Sequence, residues 1–202
     1  MRLGIFGGSF NPVHRGHLRL AQFAFSELNL DRLYFVPSCE TPLKSDRDLL
    51  PAPLRVKLLE KTLKAYPHLL VSTCEMERGG KSYTVDTLRY FHKQSGKDGQ
   101  LYFLTGMDSL QNIEQWKSPE TIFELCRFVA ATRPGYAWRR TKYPVIQMPF
   151  EALSISSSEI RNRLRKDKPL EGLVPAGIEA DLKKYFQSKK GGMTSKRKKS
   201  WI

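Results

Sequence analysis

The chain predicts an α/β fold of the doubly wound class: a mostly parallel, Rossmann-like sheet covered by helices on both faces. Three observations carry this. Short apolar, β-branched or aromatic runs recur along the sequence; segments of helical period separate most of them; and the first run leads into a Gly-Gly turn at the threshold of a helix. The first strand is expected at Leu3–Phe6, and the first helix, His17–Leu28, follows on Leu18, Ala21, Phe25 and Leu28 at helical spacing. A second run, Leu33–Val36, precedes a helix over Pro53–Ala65 that a proline opens, and a third run stands at Leu69–Ser72. Thr84–Gln94 is helical, Leu101–Leu104 is the fourth strand, and Pro119–Cys126 is again helical before strands at Phe128–Ala131 and Val145–Gln147. After Phe150, small helices at Ser157–Arg165 and Pro175–Phe186 complete the body. Right-handed crossovers follow for parallel neighbours, and ligands in such sheets bind beyond the carboxyl ends of the strands, where Gly7-Gly8 lies.

At 202 residues, 40% hydrophobic and 27% charged, the chain is expected to form one globular domain over residues 1–187. No apolar run approaches the roughly 18 residues of a membrane span, and no signal-peptide h-region precedes the first strand. Cys39, Cys74 and Cys126 are scattered, which fits a reducing, cytoplasmic setting and gives zinc no paired ligands. The net charge is +14, but Lys189, Lys190, Lys196, Arg197, Lys198 and Lys199 crowd into residues 188–202, leaving +8 on the body. That stretch reads as a disordered basic tail, either simply solvated or loosely attracted to RNA or DNA. Self-association is left open by the sequence.

Residues 4–18, Gly-Ile-Phe-Gly-Gly-Ser-Phe-Asn-Pro-Val-His-Arg-Gly-His-Leu, carry most of the chemistry. Glycines let the backbone approach a ligand, and the first N–H groups of the following helix offer an anion site, so a nucleotide phosphate is the expected ligand. Within this segment no Gly-Lys-Ser/Thr ends a Walker loop and no G-x-G-x-x-G makes a dinucleotide fingerprint, so neither of those phosphate loops fits it. The bland alternative is an ordinary tight connection. A second stretch, Ile155-Ser156-Ser157-Ser158-Glu159-Ile160-Arg161, opens a helix. Ser156 with Glu159 reads as a capping box, yet Arg161 so near a positive helix end is easier to understand if an anion sits there. Lys44 and Arg47 lie in a Pro-, Ser- and charge-rich loop after the second strand, and a second loop runs from Arg78 to Ser82. His68 and His92 are assigned no role.

His14-Arg15-Gly16-His17 resembles the H-x-G-H signature of the nucleotidyltransferase superfamily, and the longer string around it resembles the bacterial nicotinate-nucleotide adenylyltransferases. Residues 155–161 are similar to the I-S-S-T-x-I-R motif of the same superfamily, with Ser158 in place of Thr. Ser82-Tyr83-Thr84-Val85-Asp86-Thr87-Leu88 and Leu104-Thr105-Gly106-Met107-Asp108-Ser109-Leu110 resemble two further family strings, and the likeness spans roughly residues 2–187. The resemblance implies attack by the phosphate of nicotinate mononucleotide on the α-phosphorus of ATP, giving nicotinate adenine dinucleotide and pyrophosphate with magnesium present. No protein nucleophile is needed, and a phosphate monoester, mostly dianionic at neutral pH, needs no general base.

By the same resemblance, His17, assisted by His14, stabilises charge at the α-phosphate, while Gly7, Gly8, Ser9 and Phe10 line the ATP site. Ser156, Ser157 and Arg161 take the outer phosphates, and Gly106 and Asp108 the adenosine or adenylate end. A helix N-cap is the bland reading of Asp108. Trp116 stands where the family stacks an indole on the pyridine ring, with Tyr83 and Thr84 completing that site and Arg133, in an Arg-Pro-Gly string, pairing acidic groups. Lys44 follows Pro42-Leu43 where the family carries Pro-His, and would meet phosphate. The rival readings are an acceptor such as nicotinamide mononucleotide or phosphopantetheine, and a non-catalytic nucleotide- or nucleic-acid-binding protein. Intact His14, His17, Ser156 and Arg161 favour catalysis.

Overall fold

A central strand, β1 (Arg2–Gly8), is flanked by β2 (Arg32–Pro37) and β4 (Gln100–Gly106). β3 (Leu69–Val71) extends the sheet beyond β2, and β5 (Arg127–Ala131) and β6 (Val145–Met148) extend it beyond β4. Every pairing is parallel, so the sheet expected to be mostly parallel is wholly so among the described residues. The computed structural model describes residues 1–40, 48–96, 98–110, 112–131 and 141–197, without the side chains of 108, 109 and 190–197. The order β3-β2-β1-β4-β5-β6 reverses between β1 and β4, which is the switch point at which doubly wound sheets open a crevice.

Successive side chains of a strand point to opposite faces, and this alternation divides the interior into two cores. Phe6, Leu33, Phe35, Leu104 and Val129 pack with α1 (Arg15–Glu27), α2 (Ala52–Leu63), α7 (Ser157–Arg165) and α8 (Ala176–Arg197) through Ala21, Ala24, Leu58, Leu59, Ile160 and Leu182. Leu3, Ile5, Val36, Phe103 and Phe128 take the other face, against Val85, Leu88 and Phe91 of α4 (Thr84–Ser95) and Ile122 of α6 (Pro119–Leu125). With both faces covered, the strands read as near-continuous apolar runs, which is why they were legible.

Two pieces were not anticipated, α3 (Cys74–Arg78) and a 3-10 turn at Ile113–Gln115, whereas α5 (Met107–Leu110) is a short helix at the place where Asp108 reads as a cap. Each is too short to show a helical period. The last helix is also longer than expected, since the backbone of residues 188–197 continues α8 to Arg197 instead of lacking structure. Packing of Ile178 and Leu182 anchors the start of that helix, while Gly191-Gly192 within the extension oppose it, each by about 1 kcal/mol relative to alanine. No helix among the described residues is long and apolar enough to cross a membrane.

Candidate active site

The loop after β1 is shaped by packing as much as by openness. A Cβ on Gly8 would stand 3.2 Å from the Phe10 ring, so that glycine accommodates the ring. Phe10 itself is buried at φ +44°. An L-residue there costs about 1–2 kcal/mol, and its ring is held between Phe6, Phe35 and His17 at centroid distances of 5.4, 5.3 and 5.1 Å. Asn11 then ties the loop to the approach to α2: its Nδ2 donates to the Asp48 carbonyl at 2.9 Å and its Oδ1 accepts the Leu50 N–H at 2.8 Å.

His14 is the N-cap of α1 and His17 its third helical residue. The two form a capping box in imidazoles: Nδ1 of His14 accepts the His17 N–H, and Nδ1 of His17 accepts the His14 N–H, each at 3.3 Å. Their rings stack at 3.6 Å and 25°. With both Nδ1 atoms accepting, each neutral ring carries its proton on Nε2, and the pair presents N–H donors. The spacing therefore has a local cause, and so has its glycine, because a Cβ on Gly16 would lie 3.1 Å from Cε1 and Nδ1 of His14.

Residues 156–161 dock onto this same loop. Ser157 Oγ donates to the Pro12 carbonyl at 2.9 Å, and Arg161 Nη1 donates to the Asn11 carbonyl at 2.7 Å. Ser156 does cap α7, accepting the Glu159 N–H at 3.1 Å, but the Glu159 carboxylate turns to Arg163 instead of closing a box. Counted from that cap, Arg161 begins the second turn of α7, so the helix end bears on it less than the sequence suggested, and the Asn11 carbonyl accounts for part of its charge. Its Nε is buried without a hydrogen-bond partner among the described residues, and burial lowers its pKa, opposed by Asp48 and reinforced by Arg165.

Across the switch point, β4 ends at Gly106, where an added Cβ would meet no atom of the described residues within 4 Å. Asp108 is the second residue of α5, not its cap, and its side chain lies outside the described residues, as do Lys44 and Arg133 altogether. Trp116 is half-buried, its indole set edge-on to Phe103 and Phe128 at 6.2 and 6.0 Å. Tyr83 and Thr84 start α4, which has no side-chain cap. Lys117 Nζ lies 4.5 Å above the Tyr83 ring and 3.2 Å from Asp86. Ser82 joins this loop to the end of β2, its Oγ accepting from the Cys39 N–H at 2.8 Å and its N–H donating to the Glu40 carbonyl at 2.9 Å. His68 is half-buried against Phe25 just before β3, at the amino end of the sheet.

Two contributors escaped the sequence reading. Asn11 stands inside the motif with nothing in the sequence to mark it out, yet both ends of its amide are used. Arg55 of α2 is 1% exposed and donates to three carbonyls, those of Ser9, Ser38 and Leu50. The available signal was its place in the stripe Arg55, Leu58, Leu59, Thr62 and Leu63, where helical period demands an apolar residue.

A family model described as cytidylyltransferase-like matches residues 5–163. The probable nicotinate-nucleotide adenylyltransferase of Moorella thermoacetica is 39% identical over 189 residues, 88% of this chain and 87% of the relative. That of Thermoanaerobacter sp. is 37% identical over 201 residues, covering 94% and 95%. Among solved structures, Plasmodium falciparum nicotinic acid mononucleotide adenylyltransferase complexed with NaAD shares the fold at a TM-score of 0.71, with 21% identity over 93% of this chain and 95% of that one. The two motifs that the tertiary structure packs together, the switch-point sheet and these likenesses agree: the chain belongs to the cytidylyltransferase-like family, among its nicotinate-nucleotide adenylyltransferases.

Proposed function

We propose that the chain transfers the adenylyl group of ATP to the phosphate of nicotinate mononucleotide, releasing pyrophosphate and forming nicotinate adenine dinucleotide on the way to NAD. The observation that carries this is the docking of residues 157–161 on the loop that leads into His14 and His17, which gathers donors for a triphosphate at the switch point. The acceptor oxygen attacks the α-phosphorus in line, so the site's work is to align two anions and to stabilise charge on the transferring phosphoryl oxygens. Nε2–H of His17, with that of His14, supports the α-phosphate as charge builds; removing one such donor typically costs about 100- to 1000-fold in kcat. Arg161, Ser156, Ser157 and Ser158 take the β- and γ-phosphates.

Magnesium fits as a cation carried by the triphosphate's own oxygens and water. The described residues contain no group of three or more His, Cys, Asp or Glu side chains able to hold a metal, and such a cation needs none. When bound, it neutralises charge on the departing pyrophosphate. Trp116 stacks on the pyridine ring, and the uncapped first turn of α4 at Tyr83 and Thr84 offers N–H groups to the nicotinate carboxylate, favouring acid over amide. ATP-dependent synthesis and three free cysteines suit the cytoplasm. The test is pyrophosphate release with ATP and magnesium, comparing nicotinate mononucleotide, nicotinamide mononucleotide and phosphopantetheine at matched concentrations. Preference for the first is expected; equal use of the first two refutes the carboxylate argument, and release with phosphopantetheine alone refutes the acceptor site.

A further inference from the structure

The strained loop at Phe10 is held from both sides. Arg161 of α7 grips the carbonyl of Asn11 at 2.7 Å, and Arg55 of α2 grips that of Ser9 at 2.9 Å. Arg55 does more, because the same Nη1 also donates to the Ser38 carbonyl at 2.8 Å while its Nε donates to Leu50 at 3.0 Å. Ser9 follows β1 and Ser38 follows β2, and these strand ends are already in register, Gly8 opposite Pro37 with the Ser38 N–H on the Gly8 carbonyl at 2.9 Å. One buried guanidinium thus pins the two loops that leave the carboxyl end of adjacent strands.

We propose that Arg55 is a positioning residue for adenylyl transfer: by drawing the Ser9 and Ser38 carbonyls into the protein, it turns the following N–H groups outward and aims that of Phe10 at the triphosphate. In a trans peptide, C=O and N–H point in opposite directions, so fixing one aims the other. Cys39 shows this already, since its N–H, opposite the Ser38 carbonyl held by Arg55, donates to Ser82 Oγ on the acceptor side. Losing the guanidinium would leave the Ser9, Ser38 and Leu50 carbonyls without this donor, at a cost to folding for each that stays buried, so a test of positioning has to read folding and turnover separately. A carbonyl released from Arg55 is free to rotate toward the site and meet the triphosphate with negative instead of positive polarity.

The inference rests on the adenylyl-transfer reading, so wild-type pyrophosphate release is measured first; its absence overturns both. With it present, Arg55→Met and Arg55→Lys are compared with wild type for thermal midpoint, kcat, and KM for ATP and for nicotinate mononucleotide. Arg55→Met is expected to stay folded, with kcat lowered about thirtyfold or more while KM for the mononucleotide moves less than about threefold. Arg55→Lys, which can still donate to a carbonyl, should recover part of kcat. Folded Arg55→Met with kcat within threefold of wild type overturns the proposal, as does a loss that only tracks the fraction folded or that lysine does not relieve. Should Arg55→Met fail to fold, Arg55→Lys alone decides: kcat lowered severalfold in a folded protein supports positioning, and kcat at the wild-type level overturns it.

Discussion

Gly16→Ala separates stability from catalysis by changing their signs independently. At an ordinary helical position alanine would be favoured over glycine by up to about 1 kcal/mol. Here its Cβ would lie 3.1 Å from both Cε1 and Nδ1 of His14, and relief requires the ring to move by a few tenths of an ångström. That ring is stacked on His17 at 3.6 Å and shares two cap bonds that are already 3.3 Å long, so the displacement passes directly to both imidazoles. Loss of one cap bond costs about 0.5–1.5 kcal/mol, which roughly offsets the alanine gain and leaves the thermal midpoint within a few degrees of wild type. Misaimed Nε2–H donors should lower kcat by about 10- to 100-fold, equivalent to about 1.4–2.8 kcal/mol of transition-state stabilisation. Pyrophosphate release gives kcat and calorimetry gives the midpoint. A kcat within twofold of wild type in a folded protein would refute the argument that Gly16 serves the His14–His17 pair, and a midpoint drop of ten degrees or more would mean that the capping box carries stability instead.

His17→Ala should reduce kcat by about 100- to 1000-fold with KM for ATP little changed, and turnover near wild type would remove His17 from the reaction. Trp116→Ala should raise KM for nicotinate mononucleotide by about 3- to 10-fold, the worth of one aromatic stack, while Trp116→Phe restores most of it; unaltered KM values would place the pyridine ring elsewhere. Lys57 and Lys61 of α2 hold the Asp181 carboxyl of α8 at about 2, below its ordinary 3.8, through contacts of 2.8 and 2.5 Å. Because this carboxyl is depressed in the folded chain, the clasp stabilises above about pH 4 and is lost as pH falls from there through about 2. The thermal midpoint of Asp181→Asn should therefore lie below wild type at neutral pH and converge on it in that acid window; a gap that persists at the lowest pH would assign the difference to packing.

Much of the fold was written locally. Runs such as Leu33–Val36 and Leu101–Leu104 announce strands because both sheet faces are covered, and Ser157–Arg165 announces a helix because Ser156 caps it. The pairing of His14 with His17 was equally local, being a capping box within one helical turn. Short segments such as α3 and the 3-10 turn at Ile113–Gln115 were hidden because three to five residues cannot display a period, and the end of α8 was hidden because its composition offers nothing to a core although its backbone can still extend a helix already begun.

Sequence alone determined the fold class and the family, and marked residues 4–18 and 155–161, since periodicity, capping and motif spacing are properties of neighbours along the chain. Tertiary structure alone decided that α7 lands on the Asn11–Pro12 carbonyls, and that Arg55 turns inward to hold Ser9, Ser38 and Leu50 where every rule of composition puts an arginine outside. The physical reason is that a guanidinium's place depends on which backbone carbonyls are left to satisfy once the strands have ended and their loops have met. Those carbonyls come from segments distant in sequence, and only the folded chain brings them within reach of one side chain.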